Sequence, residues 1–303
     1  MVTVRKRTLR GGTYYYLEHT ARVAGKVQKR ELYLGSRMPR DIEERKRAFL
    51  AEVHKERWHP LLERIRAGYA ADTRRTPRTG KERALDALAV RFTYNTQRIE
   101  GSTLTLRETA DLLERGITPA GRPLRDVKEA EAHRALFLEV VRERGALTLA
   151  KVLAWHHRLF RETRPDIAGR VRQHQIAISG SRFLPPSPVE IDPLLREFFR
   201  WYARALGRTH PVELAALVHL RFVTIHPFTD GNGRLSRLLM NFVLHRHGYP
   251  MMVIQYTGRS PYYTALERAQ VRGLEHVFVQ WLLRAYVKEH RTLTKTARAQ
   301  SST

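Results

Sequence analysis

The spacing of apolar side chains predicts a chain built mainly from α-helices. From residue 81 onward, apolar residues recur at intervals of three and four, the period of one helix face. The pattern predicts helices at 81–99, 105–116, 125–145, 148–163, 189–206, 211–225, 232–247, 260–271 and 274–289. The predicted fold class is therefore mainly α, with the helices packed as a bundle.

The N-terminal part of the chain has a different pattern. Tyr14–Val23 is rich in strand-favouring side chains, a turn is expected at Ala24-Gly25-Lys26, and a second strand-like run spans Val27–Leu34. These runs predict a small β-hairpin or three-stranded sheet. Residues 41–70 predict a helix with a break or kink near Pro60.

Changes in composition divide the chain into four parts. Residues 1–70 form a small basic β-rich module plus a helix, and 71–80, with Thr, Arg, Pro and Gly, form the predicted linker. Residues 81–290 form the helical region. The polar tail at 291–303 is expected to fray.

Composition also limits the class of protein. The chain has 303 residues, 42% of them hydrophobic, and no apolar run near the roughly 18 residues of a membrane-spanning helix. The basic N-terminus leads into no apolar signal-peptide segment. Cysteine is absent, which excludes disulfides and thiolate metal sites. We predict a soluble cytoplasmic protein without a membrane segment.

Positive charge is in strong excess. The chain has 55 Lys and Arg against 30 Asp and Glu, a net charge of +25, and residues 1–40 alone carry a net +8. Such an excess favours polyanionic partners such as nucleic acid, nucleotides or acidic protein surfaces. A well-solvated basic surface is equally open, so charge alone does not identify the partner.

The residues that can carry chemistry concentrate in His226-Pro-Phe-Thr-Asp-Gly-Asn-Gly-Arg-Leu-Ser-Arg237. A helix is expected to end before Pro227, and a glycine-bounded turn then leads into a new helix near Arg234. Such a turn leaves backbone N–H groups free to point at an anion. Arg234 and Arg237 are three residues apart, so they share a helix face and can grip successive phosphates.

Two side chains of the same segment suit metal binding and proton transfer, respectively. Asp230 supplies a hard oxygen ligand that can hold Mg²⁺ against phosphates. His226 can take a proton from an incoming hydroxyl. Attack at phosphorus needs an oriented nucleophile and neutralised charge, which positioning and electrostatics largely supply.

The segment resembles the Fic signature H-P-F-x-D/E-G-N-G-R-x-x-R at every defined position. The resemblance implies a Fic-type helical bundle that transfers AMP from ATP to a Ser, Thr or Tyr hydroxyl of a protein. It implies that His226 is the general base and that Asp230 carries Mg²⁺. It assigns nucleotide-binding roles to Gly231, Asn232 and Gly233 at the α-phosphate, Arg234 at the diphosphate and Arg237 at the γ-phosphate.

The predicted helix near 81–100 ends in a second motif. Thr96, Glu100 and Gly101 match the inhibitory pattern S/T-x-x-x-E-G/N, which resembles Fic proteins with an N-terminal inhibitory helix (class II). The resemblance implies that Glu100 pairs with Arg237 and so competes with the γ-phosphate. The residues alone fit equally well a helix that ends before a glycine. Some family members use this glutamate to remove AMP, so removal stays open.

Two further segments resemble parts of the family's substrate site. Residues 170–186 alternate and then run into prolines, which predicts a strand or hairpin and is similar to the Fic flap, a β-hairpin. This similarity implies that a protein target docks there by strand pairing, although an ordinary hairpin covering the core is also open. Tyr262 and Tyr263 resemble the segment that bounds the nucleoside pocket. Stacking on adenine and core packing stay open for each tyrosine.

Residues 1–40 are similar to small basic β-modules near the N-termini of transposase- or integrase-type proteins. This similarity implies a nucleic-acid partner held through salt-sensitive phosphate contacts. Recruitment of a protein target and dimer formation are the alternatives, and Fic proteins often form homodimers.

Our main hypothesis is an autoinhibited protein adenylyltransferase that uses ATP and Mg²⁺. The alternatives are a nucleic-acid-associated regulator with a Fic core as scaffold, and a Fic enzyme with another nucleotide donor.

Overall fold

The computed structural model describes residues 2–9, 11–23 and 26–294 in two compact units that divide between Arg64 and Ile65. The predicted turn residues Ala24 and Gly25 and the end of the tail, 295–303, lie outside the described residues. Within the described ranges, no helix combines the length and apolarity needed to cross a membrane.

The first unit contains the predicted three-stranded sheet. Its strands pair antiparallel in the order β1 (Val2–Leu9), β2 (Gly12–Val23) and β3 (Lys26–Gly35). A register shift between Tyr15 and Tyr16 interrupts the pairing of β2 with β3. The β-rich N-terminal module predicted from the sequence is therefore confirmed.

Helix α1 (Ile42–Arg75) follows the sheet and differs from the prediction. We expected a break or kink near Pro60, and the helix continues through this residue without a break. Helix α2 (Arg78–Ile99) begins after only two intervening residues. The segment predicted as a linker, 71–80, is therefore mostly helical. The interruption falls at Pro77, which lies just before the first turn of α2, a place where a missing N–H costs nothing.

The second unit is a helical bundle, as predicted. Beyond α2 it contains α3 (Leu106–Arg115), α4 (Leu124–Arg142), α5 (Leu149–Phe160), α6 (Pro188–Ala205), α7 (Pro211–Ile225), α8 (Asn232–Arg246), α9 (Arg259–Arg272) and α10 (Glu275–Glu289). A 3-10 turn at Tyr256–Gly258 leads into α9.

Helix α8 lies at the centre of this bundle. Its residues are buried almost without interruption from Asn232 to Leu244, and it contacts α2, α4, α5 and α7. A helix buried on all sides is a core element. The loop 226–231 between α7 and α8 is consequently held between packed helices, with the N-terminus of α8 directly behind it.

The flap, residues 170–186, makes an excursion between α5 and α6 but contains no strand. The β-hairpin predicted for the flap is therefore wrong, because the segment forms no paired strands. Its tip is a turn closed by the Ser181 N–H on the Ile178 carbonyl, while the two arms are joined by side chains. The Gln175 side-chain amide donates to the carbonyl of Pro185 at 3.0 Å. Prolines 185 and 186 have no N–H, so this arm cannot donate to a regular ladder there.

Candidate active site

His226 ends α7 in a strained backbone conformation. Its φ of 51° is in the left-handed region, and among the described residues it is the one non-glycine residue with positive φ. This conformation costs about 1–2 kcal/mol for a residue with a side chain. Such strain persists where the surroundings determine it, and here it turns the chain from α7 into the loop.

Hydrogen bonding fixes the tautomer of His226. Nδ1 lies 3.0 Å from the carbonyl oxygen of Val223, which can only accept, so Nδ1 carries the proton. Nε2 then holds a free lone pair, and His226 lines the central cavity. Burial lowers the pKa of His226, and the Arg172 cation lowers it further. A neutral imidazole with a free Nε2 is the form that can accept a proton.

The loop before α8 is held from inside by Asn232. Its side-chain oxygen accepts the Phe228 N–H at 2.9 Å, and its amide donates to the Phe228 carbonyl at 2.7 Å. Gly231 has a φ of 84°, and an added Cβ would lie 2.5 Å from the Phe160 ring. Glycine is therefore required at 231 both for conformation and for space.

His156 supports the loop from below. The Gly169 N–H donates to Nδ1 at 2.8 Å, so the proton is on Nε2, which donates to the Asp230 carbonyl at 3.1 Å. The ring stacks on Phe228 with centroids 3.8 Å apart. Burial lowers the pKa of His156 to about 4, which keeps the ring neutral. His156 is thus a structural histidine of the loop.

A buried charge network lies behind the loop. Arg234, 1% exposed, forms ion pairs with Glu129 and, at 2.8 Å, with Asp230. The Oδ2 atom of Asp230 also pairs with Arg164 at 2.7 Å. Burial would raise the pKa of Asp230, but Arg234 and Arg164 outweigh it and hold the carboxyl ionised. Breaking such a network costs about 3–5 kcal/mol, so it fixes the loop.

Arg237 is paired with the predicted inhibitory glutamate. Its Nη2 atom lies 2.5 Å from Oε1 of Glu100 and 3.4 Å from the Thr96 carbonyl oxygen. Arg237 is 1% exposed, whereas the Glu100 side chain is about a quarter exposed. Glu100 follows the end of α2, and Gly101 continues with a φ of 97°. The carboxylate therefore enters the cavity from the end of α2.

The two predicted tyrosines have different surroundings. Tyr262 is 1% exposed, and its hydroxyl contacts Nε2 of His219 at 3.0 Å and Nη1 of Arg237 at 3.5 Å. Burial lowers the pKa of His219 to about 3, so this histidine accepts from the phenol. Tyr263 is 45% exposed and donates to the Ile99 carbonyl at 3.2 Å. Tyr262 thus holds Arg237, and Tyr263 presents a ring to the cavity.

Most of the sequence-predicted residues meet in one cavity of about 450 Å³. It is lined by His226, Asp230, Gly231, Asn232, Gly233, Arg237, Glu100, Tyr262 and Tyr263, together with flap residues 178–181. Arg234 and Thr96 are not part of the lining, because both are buried in the walls. Sequence reasoning missed Glu129, Arg164 and Arg172. The one signal for Glu129 is a carboxylate within the apolar face of α4.

These features define a class of protein: a helical domain with a glycine-bounded loop before the N-terminus of a buried helix and a carboxylate of its own inside the cavity. The Fic/DOC family model matches residues 146–244. The chain belongs to the Fic/DOC family, which confirms the resemblance found in the sequence.

Relatives support this assignment. The chain is 32% identical over 208 residues to Protein adenylyltransferase Fic of Nematostella vectensis, an alignment that covers 67% of this chain and 48% of the relative. It is 34% identical over 189 residues to Protein adenylyltransferase fic-1 of Caenorhabditis elegans, which covers 60% and 37% respectively. The chain spans about half or less of the length of these relatives.

A solved structure is also similar. The Fic domain containing signaling protein from Bacteroides thetaiotaomicron has a TM-score of 0.71 and 28% sequence identity. The match covers 79% of this chain and 97% of that structure.

Proposed function

We propose that this protein transfers AMP from ATP to a hydroxyl of a protein and that Glu100 restrains this activity. One observation carries the proposal: a neutral His226 with a free Nε2 lines the same cavity as the glycine loop and Arg237. The names of the two adenylyltransferase relatives support the same reaction.

The proposed chemistry follows from these positions. Nε2 of His226 takes the proton of the acceptor hydroxyl as its oxygen attacks the α-phosphorus. An O–P bond forms, the bond from the α-phosphorus to the bridging oxygen breaks, and pyrophosphate leaves with the electron pair. Backbone N–H groups at the N-terminus of α8 stabilise the negative charge on the phosphates.

Glu100 opposes productive binding of ATP. It occupies the Arg237 guanidinium that the γ-phosphate needs, and it adds a negative charge to the phosphate end of the cavity. Because the carboxylate is partly exposed at the end of α2, a modest movement of this end would release Arg237. The same glutamate in a different position could assist removal of AMP.

Asp230 is the residue that would hold Mg²⁺. The described residues contain no cluster of three or more metal-ligating side chains, so the donor set fits Mg²⁺ only as one carboxylate completed by substrate phosphates. Mg²⁺ bound there would neutralise phosphate charge. Arg164 and Arg234 hold the Asp230 carboxylate ionised and oriented for this role.

We further propose that the protein target docks along the flap, residues 170–186. In the described residues, the backbone N–H groups of this segment that donate to backbone are those of Arg170, Arg172 and Ser181, so no strand of the described chain pairs along its arms. Unpaired peptide groups can accept an added strand. Flap residues 178–181 line the cavity, so a docked strand would bring its hydroxyl towards His226.

A labelling experiment tests the transferase. Wild type, Glu100→Gly and Glu100→Gly/His226→Ala are incubated with Mg²⁺, ATP labelled on the α-phosphate and cell lysate. We expect faint labelling, strong labelling and none, respectively. Label from another nucleotide but none from ATP would assign a different donor. Absence of labelling from any nucleotide would leave the scaffold alternative.

A second candidate function is nucleic-acid binding by the N-terminal sheet. Alternate strand residues share a face, and the pairing register places on one face Arg5, Arg7, Tyr14, Tyr16, Lys29 and Tyr33. The Arg7 guanidinium stacks 4.6 Å above Tyr16. Cations beside aromatic rings suit phosphates and bases, although Glu18 and Glu31 pair with the cations of this face.

Binding of the full chain to random duplex DNA at several salt concentrations tests this second function. We expect Arg5→Gln/Lys29→Gln to weaken binding and to reduce the salt slope by about one for each phosphate-binding cation that is removed. Arg78→Gln, at an exposed position on α2, is the control. No binding at low salt would eliminate this function. A homodimer and a cytoplasmic location stay predictions, and light scattering tests the first.

A further inference from the structure

Arg172 is a buried arginine in the first arm of the flap. It is 2% exposed, and its guanidinium donates to three backbone carbonyls. Nε donates to His226 at 2.9 Å, Nη1 to His174 at 2.8 Å and Nη2 to Pro186 at 2.6 Å. Its own backbone N–H donates to the Pro227 carbonyl at 3.0 Å. One side chain thus joins both arms of the flap to the start of the loop.

Among the described residues, the charge of Arg172 has no acidic partner. Within the described part of the chain, its guanidinium forms no ion pair with a carboxylate, although most arginines near the cavity do. A buried cation that is satisfied only by carbonyls is costly to keep. Its geometry, with donors in a rigid planar fork, suits the joining of three carbonyls at fixed angles.

We propose that Arg172 is a positioning residue for His226 and the flap: it fixes the left-handed backbone of His226 and sets the distance from the imidazole to the docked acceptor. The proposal rests on the proposed role of His226 as the base. The carbonyls of His226 and Pro227 are both held by Arg172, so the two peptides that follow the histidine cannot rotate.

This arrangement links the acceptor to the base. The carbonyls of His174 and Pro186 lie on opposite arms of the flap, and each is held by the same guanidinium that holds His226. The Arg172 guanidinium therefore fixes the position of the flap relative to the imidazole of His226. A displacement of about 1 Å between reacting groups can cost roughly 10²-fold in rate.

Arg172 also acts on His226 through its charge. The charged groups that face the imidazole are Arg172 from the flap, Glu100 from the end of α2 and Asp230 from the loop. Arg172 disfavours protonation of His226, and the two carboxylates favour it. Loss of this cation should therefore raise the pKa of His226, an effect that a purely structural arginine would not produce.

The test uses the full chain with Glu100→Gly, which releases the proposed activity. Arg172→Gln removes the charge and the fork, whereas Arg172→Lys keeps the charge and removes the fork. Arg196→Gln, at an exposed position on α6 outside the flap and the cavity, is the control. For each variant, kcat and the KM for ATP are measured against pH.

We expect both Arg172 variants to lower kcat by about 10²-fold and to leave the KM for ATP within about twofold. In the pH profile of kcat, the fall at acidic pH should move to higher pH only in Arg172→Gln, because Arg172→Lys keeps the positive charge. The Arg196→Gln control should keep the kcat and the KM for ATP of the Glu100→Gly parent. The proposal is overturned if kcat stays within threefold of the parent in both variants, or if the KM for ATP rises as steeply as kcat falls. It is also overturned if kcat falls at the same acidic pH in Arg172→Gln and Arg172→Lys.

A second measurement separates this proposal from the proposed function. The pKa of His226 is followed by NMR in the full chain with labelled histidine, with His226→Ala to assign the signal. We expect a higher pKa in Arg172→Gln than in Arg172→Lys even if no AMP transfer is detected. Equal pKa values would overturn the proposal. Should Arg172→Gln unfold, Arg172→Lys still tests the division between kcat and KM.

Discussion

Oε1 of Glu100 lies 2.5 Å from Nη2 of Arg237, and this ion pair sits directly above the backbone of Gly233. A Cβ at position 233 would collide with the Glu100 carboxylate and would lie 3.2 Å from Nη1 of Arg237. The first turn of α8 therefore accommodates the Glu100 carboxylate because Gly233 has no side chain there. Under the proposed function, an incoming phosphate and Glu100 compete for this space and for this guanidinium.

The first prediction follows from this competition. Replacement of Glu100 by Gly or Gln should strengthen ATP binding by about 10- to 100-fold, since a hydrogen bond between charged groups contributes about 1.5–3 kcal/mol. Calorimetry with His226→Ala present in every protein avoids turnover. Glu197→Gln, a partly exposed carboxylate on α6, is the control and should bind as the parent does. Equal affinity in the parent and the Glu100 variants would contradict the brake.

The second prediction concerns the glycine loop. Gly231→Ala should destabilise the fold more than Gly273→Ala, although both glycines have positive φ, 84° and 63°. An added Cβ meets the Phe160 ring at 2.5 Å in the first case and nothing within 4 Å in the second. Because both substitutions strain the backbone, the difference between their losses in free energy of unfolding reports the collision with Phe160 alone. We expect this difference to be about 1–3 kcal/mol, the usual cost of overpacking. Urea unfolding measures both, and equal losses would contradict this packing role.

Local sequence was sufficient to predict the loop and its neighbours. His226, Asp230 and Arg237 lie within one segment whose helix end, glycines and helix start are encoded by adjacent residues. The bundle also followed from apolar spacing. What sequence could not supply were contacts across the fold. Glu129 reaches Arg234 from 105 residues away, and no local pattern marks that pairing.

The strands of the flap and the end of α1 were mispredicted for local reasons. In the flap, alternation suggested paired strands, but Arg172 takes the carbonyls of both arms and prolines remove the donors. In α1, Pro60 did not end the helix. A long helix can lose one backbone hydrogen bond and continue when its neighbouring turns are retained.

The third prediction concerns the pH dependence of transfer by the Glu100→Gly variant. Burial and Arg172 place the pKa of His226 below its ordinary value of about 6.5, so the neutral form of the base predominates at pH 6.5. Loss of Glu100 removes a charge that favours protonation, which lowers this pKa further. We therefore expect the acid side of the kcat profile to have its half-maximal rate below pH 6.5. A half-maximal rate above pH 6.5 would contradict the assignment of the base.

The last prediction concerns Glu289, at the end of α10. Its carboxylate accepts the Val253 N–H and pairs with Arg91 at 3.3 Å, yet burial raises its pKa to about 7. A carboxyl group with a raised folded-state pKa contributes stability below its unfolded pKa of about 4.5, and this contribution is lost as pH rises through 7. Glu289→Gln stays neutral and keeps an acceptor, so it should not lose this contribution.

Relative to wild type, the free energy of unfolding of Glu289→Gln should therefore rise by up to about 3 kcal/mol between pH 4.5 and pH 8. Urea unfolding of the two proteins at several pH values measures this difference. The control Gln255→Ala, at an exposed position, removes no titratable group, so its difference from wild type should stay nearly constant over the same range. If the difference in free energy of unfolding between Glu289→Gln and wild type did not change with pH, the prediction would be wrong. Glu289 would then ionise in the folded protein as readily as in water.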